Sequence, residues 1–386
     1  MSQSSHQYEQ PDSFGDPADT AAGGSFPTSE RLVRKRFEPD EVRDVIAHYP
    51  LQNVQTIREF ERGSRRSPKL IIHSEEGTFL LKRRAERSDL ESRAIWNHAV
   101  ILKLEQMNVP VARLIGTKRT GDSMVMRNGL IYELFEFVEG RRWSHSAIET
   151  SRSGECLGQL HTALSKFTPQ MSPPTGSFHD SEIVRVAISR VKETLLRDDP
   201  ECSAEEVDGL VECISSHYTQ ANLKLLATGY GDLQPQPIHG DWHPGNVLFR
   251  NYEHATDEPE GGRVAAVLDF DAARYEPRVI DLANGMLHFS MRSHPDVSPD
   301  AWPPSLSGAR LHSFSEGWCA AVTSPQASEA NSLPWLMIEA TIAESVLPIA
   351  ETGKFSTVSG YKFLKMVDQK VRWIQGHAKS IAHIFP

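Results

Sequence analysis

The stretch HGDWHPGN, His239 to Asn246, followed by LDFD, Leu268 to Asp271, decides how the rest of the chain is read. It sets Asp241 five residues before Asn246, with Asp269 twenty-three residues beyond. A carboxylate within hydrogen-bond reach of a hydroxyl can take its proton late in a reaction. An amide oxygen and a carboxylate are hard donors that suit Mg2+, and the amide adds no charge. Asp241 is therefore the candidate catalytic base, and Asn246 and Asp269 are the candidate metal ligands. His239 and His243 also make HxDxH a cluster of metal-ligand types. No further His or carboxylate set stands nearby to close a zinc site, so His239 is assigned a packing role beneath the loop.

Working outward, NVLFR and VAAVLDF read as short strands either side of an acidic, Gly-rich insertion, HATDEPEGG. VAAVL is apolar enough to be buried on both faces. Before the motif, ETSRSGECLGQLHTALSKF, SEIVRVAISRVKETLLRD and SAEEVDGLVECISSHYTQANLKLLA have helical periodicity, and helices are expected again from about Ile280 onward. Nearer the N-terminus, PDEVRDVIAHY reads as a short helix. VQTIREFERG, KLIIHSEEG and TFLLKRR read as strands, the last two joined by a hairpin at Glu76-Gly77. SDLESRAIWNHAVILKLEQM reads as one long helix with Ser88 as N-cap, and VARLIGT and LIYELFEFVEG as further strands. The pattern predicts an α+β chain in three parts: a disordered tail over 1–28, a small β-rich N-lobe over 29–138 and a larger, mostly α-helical C-lobe over 139–386.

Net charge is -10 in 386 residues, which argues against nucleic-acid binding, since that requires many phosphates to be neutralised by Lys and Arg. The four cysteines are scattered without a CxxC pair, as reduced thiols in a cytosol-like compartment would be. The N-terminal stretch lacks a basic start and an apolar core. The expectation is a cytoplasmic protein with no membrane and no nucleic-acid partner.

Asp, Asn and Asp at these separations match the arrangement that holds Mg2+ and aligns a nucleophile in phosphoryl transfer. HGDWHPGN with LDFD resembles the aminoglycoside phosphotransferase and choline kinase superfamily, a branch of the protein-kinase-like fold, and the similarity runs from about Val54 to Ile349. LFEFVEGRRW and CLGQLHTAL resemble the hinge and first C-lobe helix of its homoserine-kinase-like and stress-response-kinase-like branches, and NVPVARLIG the segment after their N-lobe helix. The resemblance implies a bilobal enzyme that moves the γ-phosphoryl of ATP, with Mg2+, to a hydroxyl of a small polar molecule. A protein Ser or Thr is the alternative acceptor, a catalytically silent nucleotide-binding module the alternative from another class, and a metal-dependent hydrolase a third reading.

Carried over residue by residue, the resemblance makes Asp241 the base and Asn246 with Asp269 the metal ligands. It assigns Lys82 to the α- and β-phosphates, Ser64 to the phosphate-covering turn, Glu136 and Val138 to main-chain contacts with adenine, and Asp281 to bracing the catalytic loop. In related sequences a Glu on the N-lobe helix pairs with the lysine. Here that place holds Asn97, which is expected to accept a hydrogen bond from Lys82 with less charge to hold it. An acidic acceptor site would favour a cationic substrate, with Glu205, Glu206, Asp208, Glu339 and Glu344 as candidates.

Overall fold

The computed structural model describes residues 35–61, 67–84, 90–174, 176–198, 202–251, 262–292, 297–322 and 326–385. The expected tail, Ser64, Ser88 and most of the acidic insertion lie outside them. A short helix, α1 (Pro39–Ile46), precedes three strands, β1 (Thr56–Phe60), β2 (Lys69–Ser74) and β3 (Gly77–Arg83). Helix α2 (Leu90–Gln106) follows, then β4 (Val125–Arg127) and β5 (Leu130–Glu136). The five strands form one antiparallel sheet in the order β1-β2-β3-β5-β4. β1 is mostly exposed at the sheet edge, whereas the interior positions of β2 and β5 are buried, including Ile71, Ile72, Ile131 and Leu134.

The expected strand at 111–117 does not form. Val111 and Leu114 make only isolated bridges, and β4 takes the fifth place instead. The reason is the turn Asn128-Gly129. Both residues adopt positive φ, which folds β4 directly back on β5 as a tight hairpin.

Beyond β5 the chain is mainly helical: α3 (Ala147–Leu164), α4 (Glu182–Asp198), α5 (Ala204–Leu226), α6 (Val279–Ser290), α7 (Gly308–Ala321), α8 (Ala327–Thr352), α9 (Gly360–Gly376) and α10 (Ala378–Ala382). Between α5 and α6 lie two hairpin-like pairs. β6 (Pro235–Ile238) pairs with β9 (Arg274–Pro277), and β7 (Val247–Arg250) pairs with β8 (Arg263–Val267). Only Ala266 and Val267 of β8 are buried, so this strand is not covered on both faces: it belongs to a two-stranded ribbon with one exposed end. Helix α8 is long and apolar enough to cross a membrane by composition, but 83% of its apolar stretch is buried inside the protein. It is the central core helix of the larger lobe, with Leu336, Ile338, Ile342 and Val346 fully covered. Small β-rich and large helical parts together make an α+β bilobal fold.

Candidate active site

The loop between β6 and β7 carries HGDWHPGN, and its shape is fixed from below. Asp281, near the start of α6 and completely buried, accepts from the backbone N–H of His239 and of Gly240, each at 2.7 Å. His161 stands behind it, with Nε2 at 3.3 Å from the carboxylate. Trp318 donates to the other ring nitrogen, which fixes a neutral imidazole with its proton toward Asp281. Burial alone would raise the Asp281 carboxyl, but His161, His239 and the Gly240 N–H outweigh it and hold it below the usual range. Gly240 has positive φ, and a Cβ there would collide with the carbonyl oxygen of Ala272, so only glycine fits.

His239 is buried and packs edge-on against Trp242 and Phe270, consistent with the packing role expected of it. Its Nδ1 accepts from the Asp241 N–H at 3.2 Å, which puts the proton on Nε2, 2.9 Å from the carbonyl of Leu268. Leu268 in turn donates to the carbonyl of Asn246 at 2.8 Å. These bonds bind the end of β8, and with it Asp269, to the loop that carries Asp241. Asp269 itself has a left-handed backbone conformation with positive φ. A non-glycine residue adopts such a conformation at a cost of order 1–3 kcal/mol. Arg274 ties the underside together, donating to the carbonyls of Gly240 and Ala272 at 3.0 and 3.2 Å and to Glu276.

Asn246 donates through Nδ2 to both the carbonyl and the Oδ2 of Asp241, at 3.0 Å each. Its remaining polar atom is Oδ1, a hard oxygen of the kind that a magnesium ion takes as a ligand. His243 Nε2 lies 3.4 Å from Asp241 Oδ2. Burial pushes the Asp241 carboxyl up and Asp269 adds repulsion, but His243 and His239 prevail, so Asp241 is held ionised below the ordinary range.

From the small lobe, Lys82 of β3 donates to Asp269 Oδ1 at 2.9 Å and to Asp271 Oδ2 at 2.6 Å. Lys69 Nζ is 3.6 Å from Asp269 Oδ2, and Arg84 Nη2 is 3.3 Å from Asp271 Oδ1. Desolvation works against ionising Asp269, yet Lys82 and Lys69 bring its carboxyl far below the usual value. The structure thus brings Lys82, Asp269, Asn246 and Asp241 together. A carboxylate and an amide oxygen beside a lysine form a donor set that fits Mg2+ with a phosphate chain, and Asp269 and Asn246 would hold the ion.

Asn97 does not accept from Lys82. The lysine is drawn to two full negative charges instead, and both polar atoms of the buried Asn97 amide are without a partner among the described residues. Glu136 ends β5 with its side chain exposed and paired to Arg113 at 3.0 Å, and Val138 is half-buried just beyond it. Of the five candidate acceptor-site acids, Glu205 and Glu206 are exposed at the start of α5, Asp208 pairs with Lys192, and Glu339 is fully buried against His179 and Asn222. Glu344 is the one linked to the loop: it bonds His288 at 3.0 Å, and the His288 ring meets that of His243 at 5.9 Å.

Lys69, Arg84, Asp271 and Arg274 carry no role in the sequence reading. The expected turn at Glu76-Gly77 would set Lys69 opposite Arg84; the hairpin turns instead at Glu75-Glu76, so Ser74 pairs with Gly77 and the register places Lys69 opposite Lys82, while Arg84 shares their face by alternation.

A family model described as the phosphotransferase enzyme family matches residues 56–318. No curated protein matches the chain. Among solved structures, an aminoglycoside phosphotransferase from Alicyclobacillus acidocaldarius is similar at TM-score 0.60 and 15% identity, over 92% of this chain and 98% of that one. An amicoumacin kinase in complex with AMP-PNP and Ca2+ has TM-score 0.57 and 14% identity, over 91% and 96%. A spectinomycin phosphotransferase in complex with ADP and spectinomycin has TM-score 0.54 and 13% identity, over 87% and 100%. At such identities the likeness speaks for the fold, whereas the family model covers well over half of the sequence and coincides with the loop and strand just described: this chain belongs to the phosphotransferase enzyme family.

Proposed function

We propose that this protein transfers the γ-phosphoryl of ATP, with Mg2+, to a hydroxyl of a small polar molecule bound against the helical lobe. The observation that carries the reading is that Asp269, paired with Lys82 of the small lobe, stands beside the bonded pair Asp241 and Asn246. Mg2+ would neutralise charge on the phosphate oxygens when bound at Asn246 and Asp269. Lys82, released from Asp269, is the cation for the α- and β-phosphates, and Lys69 on the same face adds a second positive charge. Asp241, ionised and held by Asn246, accepts the proton of the acceptor hydroxyl. Ser64, and the main chain at Glu136 and Val138, complete the nucleotide site in this reading. Glu344 is linked to Asp241 through His288 and His243, and its charge near that loop favours an acceptor bearing an amine. Small-molecule acceptors also appear in the names of structures of this fold, spectinomycin and aminopropanol among them.

Coupled ADP release over a panel of amino alcohols, amino acids and sugars tests the proposal. Asp241→Asn should cut turnover by orders of magnitude with Mg·ATP binding retained, because the base acts in the transition state. Wild-type turnover in that variant would remove Asp241 from the role. Stabilisation of the wild type by Mg·ATP without turnover on any small or protein acceptor would point to a silent module.

A further inference from the structure

We propose that Glu133 on β5 is the carboxylate that positions Lys82 for the nucleotide phosphates, in place of the helix residue that here is Asn97. The inference rests on the nucleotide reading above and names a residue that reading does not use. Lys82 and Glu133 are directly opposed in the antiparallel β3–β5 ladder. Opposed side chains share one face of the sheet, with their Cβ atoms about 5 Å apart. Helix α2 lies over that face and sends His98 down to Glu133, Nε2 to Oε1 at 2.5 Å, while Ser123 holds the other ring nitrogen at 2.7 Å. Arg84, one alternation along from Lys82, donates to the same oxygen at 2.7 Å.

Glu133 is completely buried, and its second oxygen, Oε2, has no partner among the described residues. A buried carboxylate oxygen without a donor is expensive to keep. It is understandable if a donor arrives during function. Lys82 has three N–H groups, and the two bonds it makes here go to Asp269 and Asp271, both of the larger lobe. Once Asp269 serves a metal ion, the lysine loses that acceptor, and an anion on its own lobe would hold it in place toward the phosphates. Asn97 carries no charge, and Glu91 on the same helix is exposed. Glu133 is buried, ionised and next to the lysine, and its charge already favours the protonated ammonium. Arg84, shared between Glu133 and Asp271, fixes Oε1 and so leaves Oε2 as the oxygen for Lys82.

The test is a double-mutant cycle read by calorimetric titration of Mg·ATP and, separately, adenosine into the full-length protein, its Glu133→Gln and Lys82→Met variants and the combination. Glu133→Gln should weaken Mg·ATP roughly tenfold, the scale of a lost charge-assisted hydrogen bond. Adenosine affinity should stay unchanged, and the effect should vanish in the Lys82→Met background. Equal weakening of both ligands, or the same loss with Lys82 absent, would mean that Glu133 only supports the fold. Should Glu133→Gln fail to fold, Glu133→Asp keeps the charge for Arg84 but shortens the reach, and unchanged Mg·ATP affinity in it overturns the assignment. A wild-type protein that binds Mg·ATP no better than adenosine would instead sink the phosphate-binding reading, and this inference with it.

Discussion

Replacing Asp281 by Asn tests how the HGDWHPGN loop is held. The carboxylate accepts two loop N–H groups at 2.7 Å, and an amide of the same shape offers one oxygen and one NH2 group. One loop N–H therefore keeps its acceptor, and the other faces a donor inside a fully buried site. Hydrogen bonds to charged groups contribute about 1.5–3 kcal/mol each, so Asp281→Asn should cost about 2–3 kcal/mol. For a lobe of this size that corresponds to a melting temperature lower by roughly 4–12 °C. Urea unfolding gives the energy. Hydrogen exchange by mass spectrometry on the peptide spanning His239 to Asp241 locates it, because amide protection should fall there first and only modestly in the core helix α8. A loss below about 0.5 kcal/mol with unchanged exchange in the loop would refute the bracing argument, since surface substitutions already reach that size.

Asp269→Ala should abolish the Mg2+ dependence of ATP binding, seen by titration with and without the metal; a retained dependence would move the ion elsewhere. The buried Asn97 amide has two polar atoms that lack partners among the described residues. Removing an unsatisfied buried polar group recovers about 1–3 kcal/mol, so Asn97→Leu should stabilise the protein on that scale in urea unfolding. It should leave Mg·ATP affinity alone, and weaker binding would return Asn97 to the lysine's surroundings. Glu149 is fully buried, and although desolvation opposes its charge, Arg141 and the N–H groups of Ser144 and Gly262 bring its carboxyl down to about 2. Its folded-state pKa is depressed, so its contribution is complete above the unfolded value of about 4.3 and is lost as pH falls toward the folded one. Glu149→Gln should flatten unfolding stability measured across that window, and an unaltered acid limb would count against the assignment.

Much of the helical pattern was legible because apolar residues recur at helical spacing, and the β2–β3 hairpin because two β-rich runs meet at a Gly. The strand expected at 111–117 failed since an apolar run does not say whether a partner edge is available; the Asn128-Gly129 turn filled that edge with β4. At the site, Asp241, Asn246 and Asp269 could be grouped from sequence because they stand at short separations within one stretch of chain. The brace by Asp281 came through resemblance, and the structure supplies its two bonds.

What the sequence determined by itself is the set of chemically competent groups and the local elements that carry them, since both follow from residue type and near-neighbour spacing. Tertiary structure alone decided which charges meet. Lys82 chose Asp269 and Asp271, 187 and 189 residues away, over Asn97 on its own lobe. Glu133 joined Arg84 and His98 because strand register and helix packing, neither written in any one segment, put three side chains at one buried point. Electrostatic energy depends on distance and on exclusion of water, and both are properties of the folded chain.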